Sequence, residues 1–267
     1  MNLTQTIKKN RLKIFIICRI NSKRLPQKIK KKILNLSLLE ILILRLGKKF
    51  GNQNIIICTS GKKNNFYTNI VKKYNVKIFY GDEKNIFKRL IDASKKFNVK
   101  NFVRVTGDNP LTDTDILAKM ILVFIKKKLD YVYTNGLFPG LRSEVFSIRS
   151  LKKCYEIAED PTSSEYLTYF FLRKSLFNIF CYKKKVIKKE NFLSITIDTK
   201  QDFENLKKLI KFKKDIFISR LKIINRLKLS KKNIIKKLIP LKTKFYNVRL
   251  KTDLKNIKFI KLKDFSL

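Results

Sequence analysis

Short apolar runs alternate with stretches of helical periodicity through the first half of the chain. Four runs are rich in β-branched and aromatic residues and end at polar turns: "KIFIIC" (13–18), "NIIIC" (54–58), "VKIFY" (76–80) and "NFVRVT" (101–106). Runs of this length are typical of strands that are buried on both faces. The segments between them, at 37–50, 64–74 and 84–97, carry apolar residues at helical spacing.

This alternation predicts an α/β fold with a mainly parallel sheet and helices on both of its faces. Ligands bind to such sheets beyond the carboxyl ends of the strands. One cleft should therefore be lined by four loops, which follow Cys18, Cys58, Tyr80 and Thr106. Two of these loops, "CRINSKRLPQK" (18–28) and "TGDNP" (106–110), are expected to face each other.

The second half of the chain extends this pattern. A helix should start at Asp113 or Thr114 and run to about Lys128, and the stretch 130–148 indicates a β-hairpin. Further elements are predicted as helices near 149–158 and 161–174, strands near 177–186 and 193–198, and a helix capped by Thr199 or Asp198. We divide the chain into an α/β domain, 1–212, and a basic C-terminal extension, 213–267.

The composition is strongly basic, with 63 Lys and Arg against 20 Asp and Glu and a formal charge of +43. Such a charge can indicate nucleic-acid binding. Lys, however, is spread along nearly every predicted helix, as in a chain with a compositional bias at its surface. We therefore expect no nucleic-acid partner. Apolar runs stay well below the roughly 18 residues of a membrane span, so we expect a cytoplasmic protein without membrane contact.

The chain contains no histidine, and its four cysteines are far apart. These two facts exclude Ser-His and Cys-His nucleophiles as well as zinc sites built on histidine. The remaining candidates for chemistry are carboxylates, Lys, Arg, hydroxyls, backbone amides and a hard metal ion.

Two carboxylates at predicted strand ends stand out. Asp108 lies in the turn after the fourth strand, and Asp198 lies between a strand and a helix. Taken alone, each has an ordinary explanation, because Asp forms turns and caps helices. Taken together, opposite a loop with Arg19, Arg24 and Lys28, they fit a site for Mg²⁺ and phosphates.

"IICRINSKRLPQK" resembles the signature loop of the cytidylyltransferases that activate sugar acids. The spore-coat polysaccharide biosynthesis cytidylyltransferase-like proteins are the most similar group, and CMP-KDO synthetase and acylneuraminate cytidylyltransferase are related to them. Five further stretches match in the family's order over roughly 12–210: "YGDEKNIFKRL", "VRVTGDNPLTD", "FPGLRSEVFSI", "DPTSSEYLT" and "ITIDTKQDF". The resemblance implies a Rossmann-like nucleotide-diphospho-sugar-transferase fold with a β-hairpin insertion.

The resemblance also implies a reaction and its residues. CTP and a sugar acid would give a CMP-sugar and pyrophosphate, with Mg²⁺ as cofactor and a homodimer as the usual assembly. Asp108 and Asp198 would hold the metal, and Arg19, Lys28 and Asp108 would be catalytic. The nucleotide would be bound by Arg19, Ser22, Arg24, Lys28, Asn85, Arg89, Thr106 and Gly107. The sugar would be bound by Asn135, Arg142, Glu144 and Glu165.

The sequence departs from the family pattern at four positions. Gln27 replaces a Gly in the signature loop, and Ile17 replaces a Gln at the end of the first strand. On the sugar side, Arg142 replaces an Asp and Tyr166 replaces a His. The metal-binding carboxylates are retained, so the resemblance predicts the reaction class and leaves the acceptor open.

Two other functions are consistent with the sequence. The first is a nucleotidyltransferase of the same fold that uses another nucleotide or another acceptor. The second is a non-catalytic nucleotide- or RNA-binding protein that relies on its basic surface, and its affinity should fall steeply with salt.

Overall fold

The structure is a computed structural model, and it describes residues 3–22, 24–157, 171, 176–183 and 194–229. The strands are β1 Leu12–Ile17, β2 Lys32–Ile33, β3 Leu36–Ser37, β4 Ile55–Ser60, β5 Lys77–Gly81, β6 Asn101–Thr106, β7 Tyr131–Asn135, β8 Glu144–Ser147 and β9 Ile179–Lys183. The helices are α1 Leu3–Lys9, α2 Leu38–Phe50, α3 Asn65–Tyr74, α4 Ile86–Lys96, α5 Thr114–Lys126, α6 Ile148–Glu156, α7 Lys200–Leu209 and α8 Arg220–Leu229.

Seven of these strands form one sheet in the order β5-β4-β1-β6-β8-β7-β9. Strand β8 pairs antiparallel with β6 and β7, and the other pairs in this sheet are parallel. The predicted α/β class and mainly parallel sheet are confirmed. Ile17 lies level with Cys58 on one side and Thr106 on the other, so the loops after β1, β4 and β6 start at one edge of the sheet.

The helices begin where short polar side chains can accept hydrogen bonds from free backbone amides. Ser37 and Glu40 form a reciprocal capping box at α2, and Asp113 caps α5. Thr199 and Asp202 form a second box at α7. Of the two caps proposed for α7, Thr199 is therefore the one used, and the Asp198 carboxylate is left for other contacts.

The two faces of the sheet bury different side chains. Leu, Ile and Val dominate the face that packs against α2 and α5. The opposite face carries a row of aromatic rings across β1, β6 and β8, in which Phe102 stacks on Phe15 at 5.1 Å and on Phe146 at 5.0 Å between ring centroids. Because these rings interlock across the strands, they hold the strand ends in fixed relative positions.

Most predicted elements lie within a few residues of their predicted positions, and the hairpin is formed by β7 and β8. The strand predicted at 193–198 is not observed over residues 194–198, which form no regular ladder. The amides of Ile195 and Ile197 instead donate to Pro139 O and Asp108 O. The helix predicted near 161–174 lies outside the described residues, apart from Phe171.

The short helix α1 was not predicted. The division at residue 212 stays a prediction, and the described residues beyond it contribute Ile216 and Ile223 to the buried core. In the described part of the chain, no helix combines the length and apolar composition needed to cross a membrane.

Candidate active site

Three loops bring opposite charges together at the carboxyl edge of the sheet. The Lys28 ammonium lies 2.7 Å from Asp108 Oδ2 and 3.3 Å from Asp198 Oδ1, and it also donates to Ile197 O at 3.1 Å. Arg24 Nη2 lies 3.0 Å from the same Asp198 oxygen. The predicted juxtaposition of the loop after β1 with Asp108 and Asp198 is therefore present.

The signature loop separates apolar from cationic side chains. Leu25 and Ile29 are buried in the core, whereas Arg24 and Lys28 point to the two carboxylates. Backbone hydrogen bonds from Lys28 N to Leu25 O and from Lys30 N to Gln27 O form a short 3₁₀ turn. The apolar residues Leu25 and Ile29 are four residues apart, and so are the cations Arg24 and Lys28. One face of the turn therefore anchors the loop, and the other presents the charges.

Gln27 has a left-handed backbone, with φ 51° and ψ 29°. Glycine adopts this region without penalty, whereas side chains with a Cβ do so at a cost. The position where the family has Gly thus keeps a conformation that favours Gly, although Gln27 occupies it.

Gly107 allows the Asp108 turn to approach β1 closely. A Cβ at Gly107 would lie 2.7 Å from the Cβ of Cys18, and the Gly107 amide donates to Ile17 O at 2.9 Å. Burial raises the pKa of the Cys18 thiol to about 12, so it packs there as a neutral side chain. The Thr106 hydroxyl accepts from Asn109 Nδ2 at 2.9 Å, which closes the turn beside Asp108.

Asp198 is held in place from both sides. The Asp202 carboxylate accepts from the backbone amides of Asp198 and Thr199 at 3.0 and 2.8 Å. The preceding Ile197 amide donates to Asp108 O at 2.9 Å, so the two carboxylate loops share a backbone hydrogen bond. The role of Asp202 was not predicted, although the "TKQD" spacing is that of a capping box.

The two carboxylates fit a divalent metal. Both contact one ammonium, which shows that a cation is accommodated between them, and both carboxylates are partly exposed. Within the described ranges no group of three or more His, Cys, Asp or Glu could hold a metal ion. A Mg²⁺ held by Asp108 and Asp198 would therefore take its remaining ligands from water and substrate phosphates, as Mg²⁺ commonly does.

Arg19, in the same loop as Arg24 and Lys28, lines a cavity of about 190 Å³. The cavity lies between the loops after β1, β4 and β5, and its other lining residues include Asn21, Gly61 and Glu83. Ser22 is half-buried in the same loop as Arg19. Three of the four predicted loops thus line this cavity, and the fourth, after Thr106, contributes no lining residue.

Asn85 and Arg89 stabilise the start of α4 and the loop after β5. Asn85 caps α4 through its side-chain oxygen, which accepts from Lys88 N at 2.9 Å. The Arg89 guanidinium is buried and donates to Asp82 O at 2.7 Å and Glu83 O at 3.0 Å. Arg89 therefore holds the backbone of Glu83, which lines the Arg19 cavity, whereas Asn85 fixes the start of α4.

The predicted sugar-binding residues lie at the hairpin. Asn135 ends β7 and is exposed, and Arg142 Nε donates to Leu137 O at 2.6 Å inside the hairpin loop. Glu144 forms an ion pair with Arg104 and accepts from the Tyr131 hydroxyl. Glu165 lies outside the described residues.

A larger cavity of about 970 Å³ lies at the opposite edge of the sheet. It is lined by residues at the start of β6, before β7 and at the end of β8, including Asn101, Asp130 and Ser147. The Asp130 carboxylate there already accepts from the Asn178 amide at 3.0 Å. This cavity contains none of the residues predicted for catalysis, so size alone does not locate the site.

Known proteins are similar in sequence to most of this chain. A protein of Methanocaldococcus jannaschii, described as uncharacterized, is 35% identical over 191 residues, which cover 71% of this chain and 79% of that protein. The spore coat polysaccharide biosynthesis protein SpsF of Bacillus subtilis is 28% identical over 207 residues, which cover 73% of this chain and 85% of SpsF.

A solved structure is also similar to this chain in its fold. A cytidylyltransferase from Leptospira borgpetersenii superposes with a TM-score of 0.76 at 26% identity, covering 85% of this chain and 99% of that one. The cytidylyltransferase family model matches residues 14–234, which include every residue of the charged cluster. The chain therefore belongs to the cytidylyltransferase family.

Proposed function

We propose that this protein transfers CMP from CTP to a sugar acid, releases pyrophosphate and requires Mg²⁺. The observation that carries the proposal is the convergence of Lys28 and Arg24 with Asp108 and Asp198 at the carboxyl edge of the sheet. Two carboxylates supply a metal site, and the cations supply charge for a triphosphate. This pairing is what a nucleotidyl transfer needs from a protein without histidine.

In the proposed reaction, a sugar hydroxyl attacks the α-phosphorus of CTP. A new oxygen–phosphorus bond forms, the hydroxyl proton passes to solvent water, and the bond to the bridging oxygen breaks as pyrophosphate leaves with the electron pair. Arg19, Arg24 and Lys28 would bind the triphosphate and neutralise the charge on the leaving group. A bound Mg²⁺ would supply Lewis-acid neutralisation of phosphate oxygens. Catalysis would rest on positioning and electrostatics.

A sugar acid is proposed as the acceptor for two reasons. The relative SpsF is described as a spore coat polysaccharide biosynthesis protein, which supports a role in making surface glycans. Arg142 provides a cation in the hairpin opposite the nucleotide side, where a sugar carboxylate could bind. A homodimer stays a prediction.

The test is calorimetric titration of CTP with and without Mg²⁺, against ATP, GTP and UTP at near-physiological salt. We expect selective binding of CTP that Mg²⁺ strengthens, followed by pyrophosphate release when a sugar acid is added. As a control, Asp115→Asn removes an exposed carboxylate that is paired with Lys49 outside the cluster, and this variant should bind CTP as the unaltered protein does. Equal binding of all four nucleotides, weakening together as salt rises, would refute the proposal.

A further inference from the structure

A single buried guanidinium connects the loop of Asp108 to two other parts of the chain. Arg45 lies in α2, and only 6% of its surface is exposed. Its Nη2 donates to Thr112 O at 3.1 Å and, at the limit of a hydrogen bond, to Leu111 O at 3.5 Å. Its Nη1 donates to Ile216 O and, at 3.2 Å, to Ile218 O.

Such a charge is costly to bury without a carboxylate beside it. Among the described residues, the hydrogen-bond partners of Arg45 are all backbone carbonyls, and Asp113 and Asp115 act on it only from a distance. Burial lowers the pKa of Arg45 to about 10, so the side chain still carries its charge at neutral pH. An apolar residue would avoid this cost, which indicates that the four carbonyl contacts are the reason for an arginine here.

The segments that Arg45 joins are connected along the chain to those that carry the charged cluster. Leu111 and Thr112 belong to the loop that starts with Asp108. Helix α2 follows the signature loop after the short strands β2 and β3, and its Leu38 amide donates to Lys31 O at 3.0 Å. Ile216 and Ile218 follow helix α7, which starts at Lys200, two residues after Asp198.

We propose that Arg45 is a positioning residue that holds the Asp108 and Asp198 segments in register for nucleotide and metal binding. The inference rests on the proposed function, but its geometric part can be tested without a ligand. The Ile197 amide donates to Asp108 O at 2.9 Å and is therefore a reporter of the junction between the two segments. Lysine cannot replace Arg45, because an ammonium lacks the planar fork that spans four carbonyls.

The experiment compares Arg45→Met and Arg45→Lys with Arg226→Met. Arg226 is the matched control, because it donates to Leu209 O and to Asp215 Oδ1 in the same C-terminal region without contacting the Asp108 loop. Hydrogen exchange at the Ile197 amide is measured well below the unfolding midpoint of each variant. We expect exchange at least tenfold faster in both Arg45 variants and unchanged within about twofold in Arg226→Met. Arg45→Lys keeps the charge and serves as the test if Arg45→Met does not fold.

CTP titration on the same proteins separates the two proposals. The Mg²⁺-dependent gain in CTP affinity should fall at least tenfold in the Arg45 variants and persist in Arg226→Met. Unchanged Ile197 exchange in Arg45→Lys would overturn the positioning role, whatever the protein binds. A wild-type protein that does not bind CTP would overturn the proposed function, and the exchange result would still decide the role of Arg45 in joining the two segments.

Discussion

The proposed nucleotide side and the proposed sugar side of the site both contain ion pairs of similar exposure, but the pairs are built differently. Lys28, Asp108 and Asp198 come from three loops that are far apart in sequence. Arg104 and Glu144 are direct cross-strand neighbours on β6 and β8. Burial disfavours the Arg104 charge, but the Glu144 carboxylate outweighs it, and the pKa of Arg104 is raised.

This difference separates a binding site from a scaffold. Charged side chains on loops at the sheet edge can give up their contacts with one another when a ligand binds, because phosphates and a metal would replace each lost contact. A cross-strand pair with a third contact from Tyr131 has no such exchange available without leaving a buried charge. We therefore expect Glu144 to support the sheet next to the sugar, and Asp108 to act in the reaction.

The largest expected effect comes from breaking the scaffold pair. Glu144→Gln leaves the Arg104 guanidinium in a mostly buried position without its counter-charge. Loss of one partner of a buried ion pair costs about 3–5 kcal/mol, and urea unfolding should show a decrease of this size. The double variant Arg104→Met with Glu144→Leu should recover most of the loss, because it removes both charges. If Glu144→Gln keeps its stability and loses only turnover, the distinction between the two regions is wrong.

On the nucleotide side the expected effect is on the reaction. Asp108→Asn removes a charge from the metal position and should lower CTP-dependent pyrophosphate release by about 10²–10³-fold, a range typical for loss of one electrostatic group in an active site. The free energy of unfolding should fall by less than in Glu144→Gln, since Lys28 keeps its contacts with Asp198 Oδ1 and Ile197 O. Undiminished release from this variant would remove Asp108 from its proposed role, and Asp115→Asn controls for loss of an acidic charge.

The fold and the centre of the site could be predicted from local patterns. The β-branched runs and the capping residues identify most of the strands and helices of the first half. The rule that parallel strands end at one edge places Lys28 and Asp108 together, whereas Asp198 follows a segment that is not a strand in the structure. These inferences require no interatomic distance, because the order of the elements along the chain and the direction of the strands are sufficient for them.

The missed features depend on tertiary contacts. Arg45 stands in the apolar run "LEILILRLGKKF", and nothing in that run shows which carbonyls it reaches. Residues 194–198 have the composition of a strand, but their amides bond to two loops in place of a neighbouring strand. The partner of Glu144 depends on the register of β6 and β8, which a sequence alone leaves undetermined.

The smallest expected effect tests whether the signature loop has kept its form. Gln27→Gly places glycine at a φ of 51°, where a residue with a Cβ is strained by roughly 1–2 kcal/mol. Because glycine also gains entropy in the unfolded state, we expect a net stabilisation of about 0.5–1 kcal/mol, measured by urea unfolding, with CTP affinity unchanged within about twofold. Gln27→Val is the matched control and should destabilise, since β-branched residues fit this region poorly. A Gln27→Gly protein that is less stable, or that binds CTP much more tightly, would mean that Gln27 itself contributes to the loop that presents Lys28.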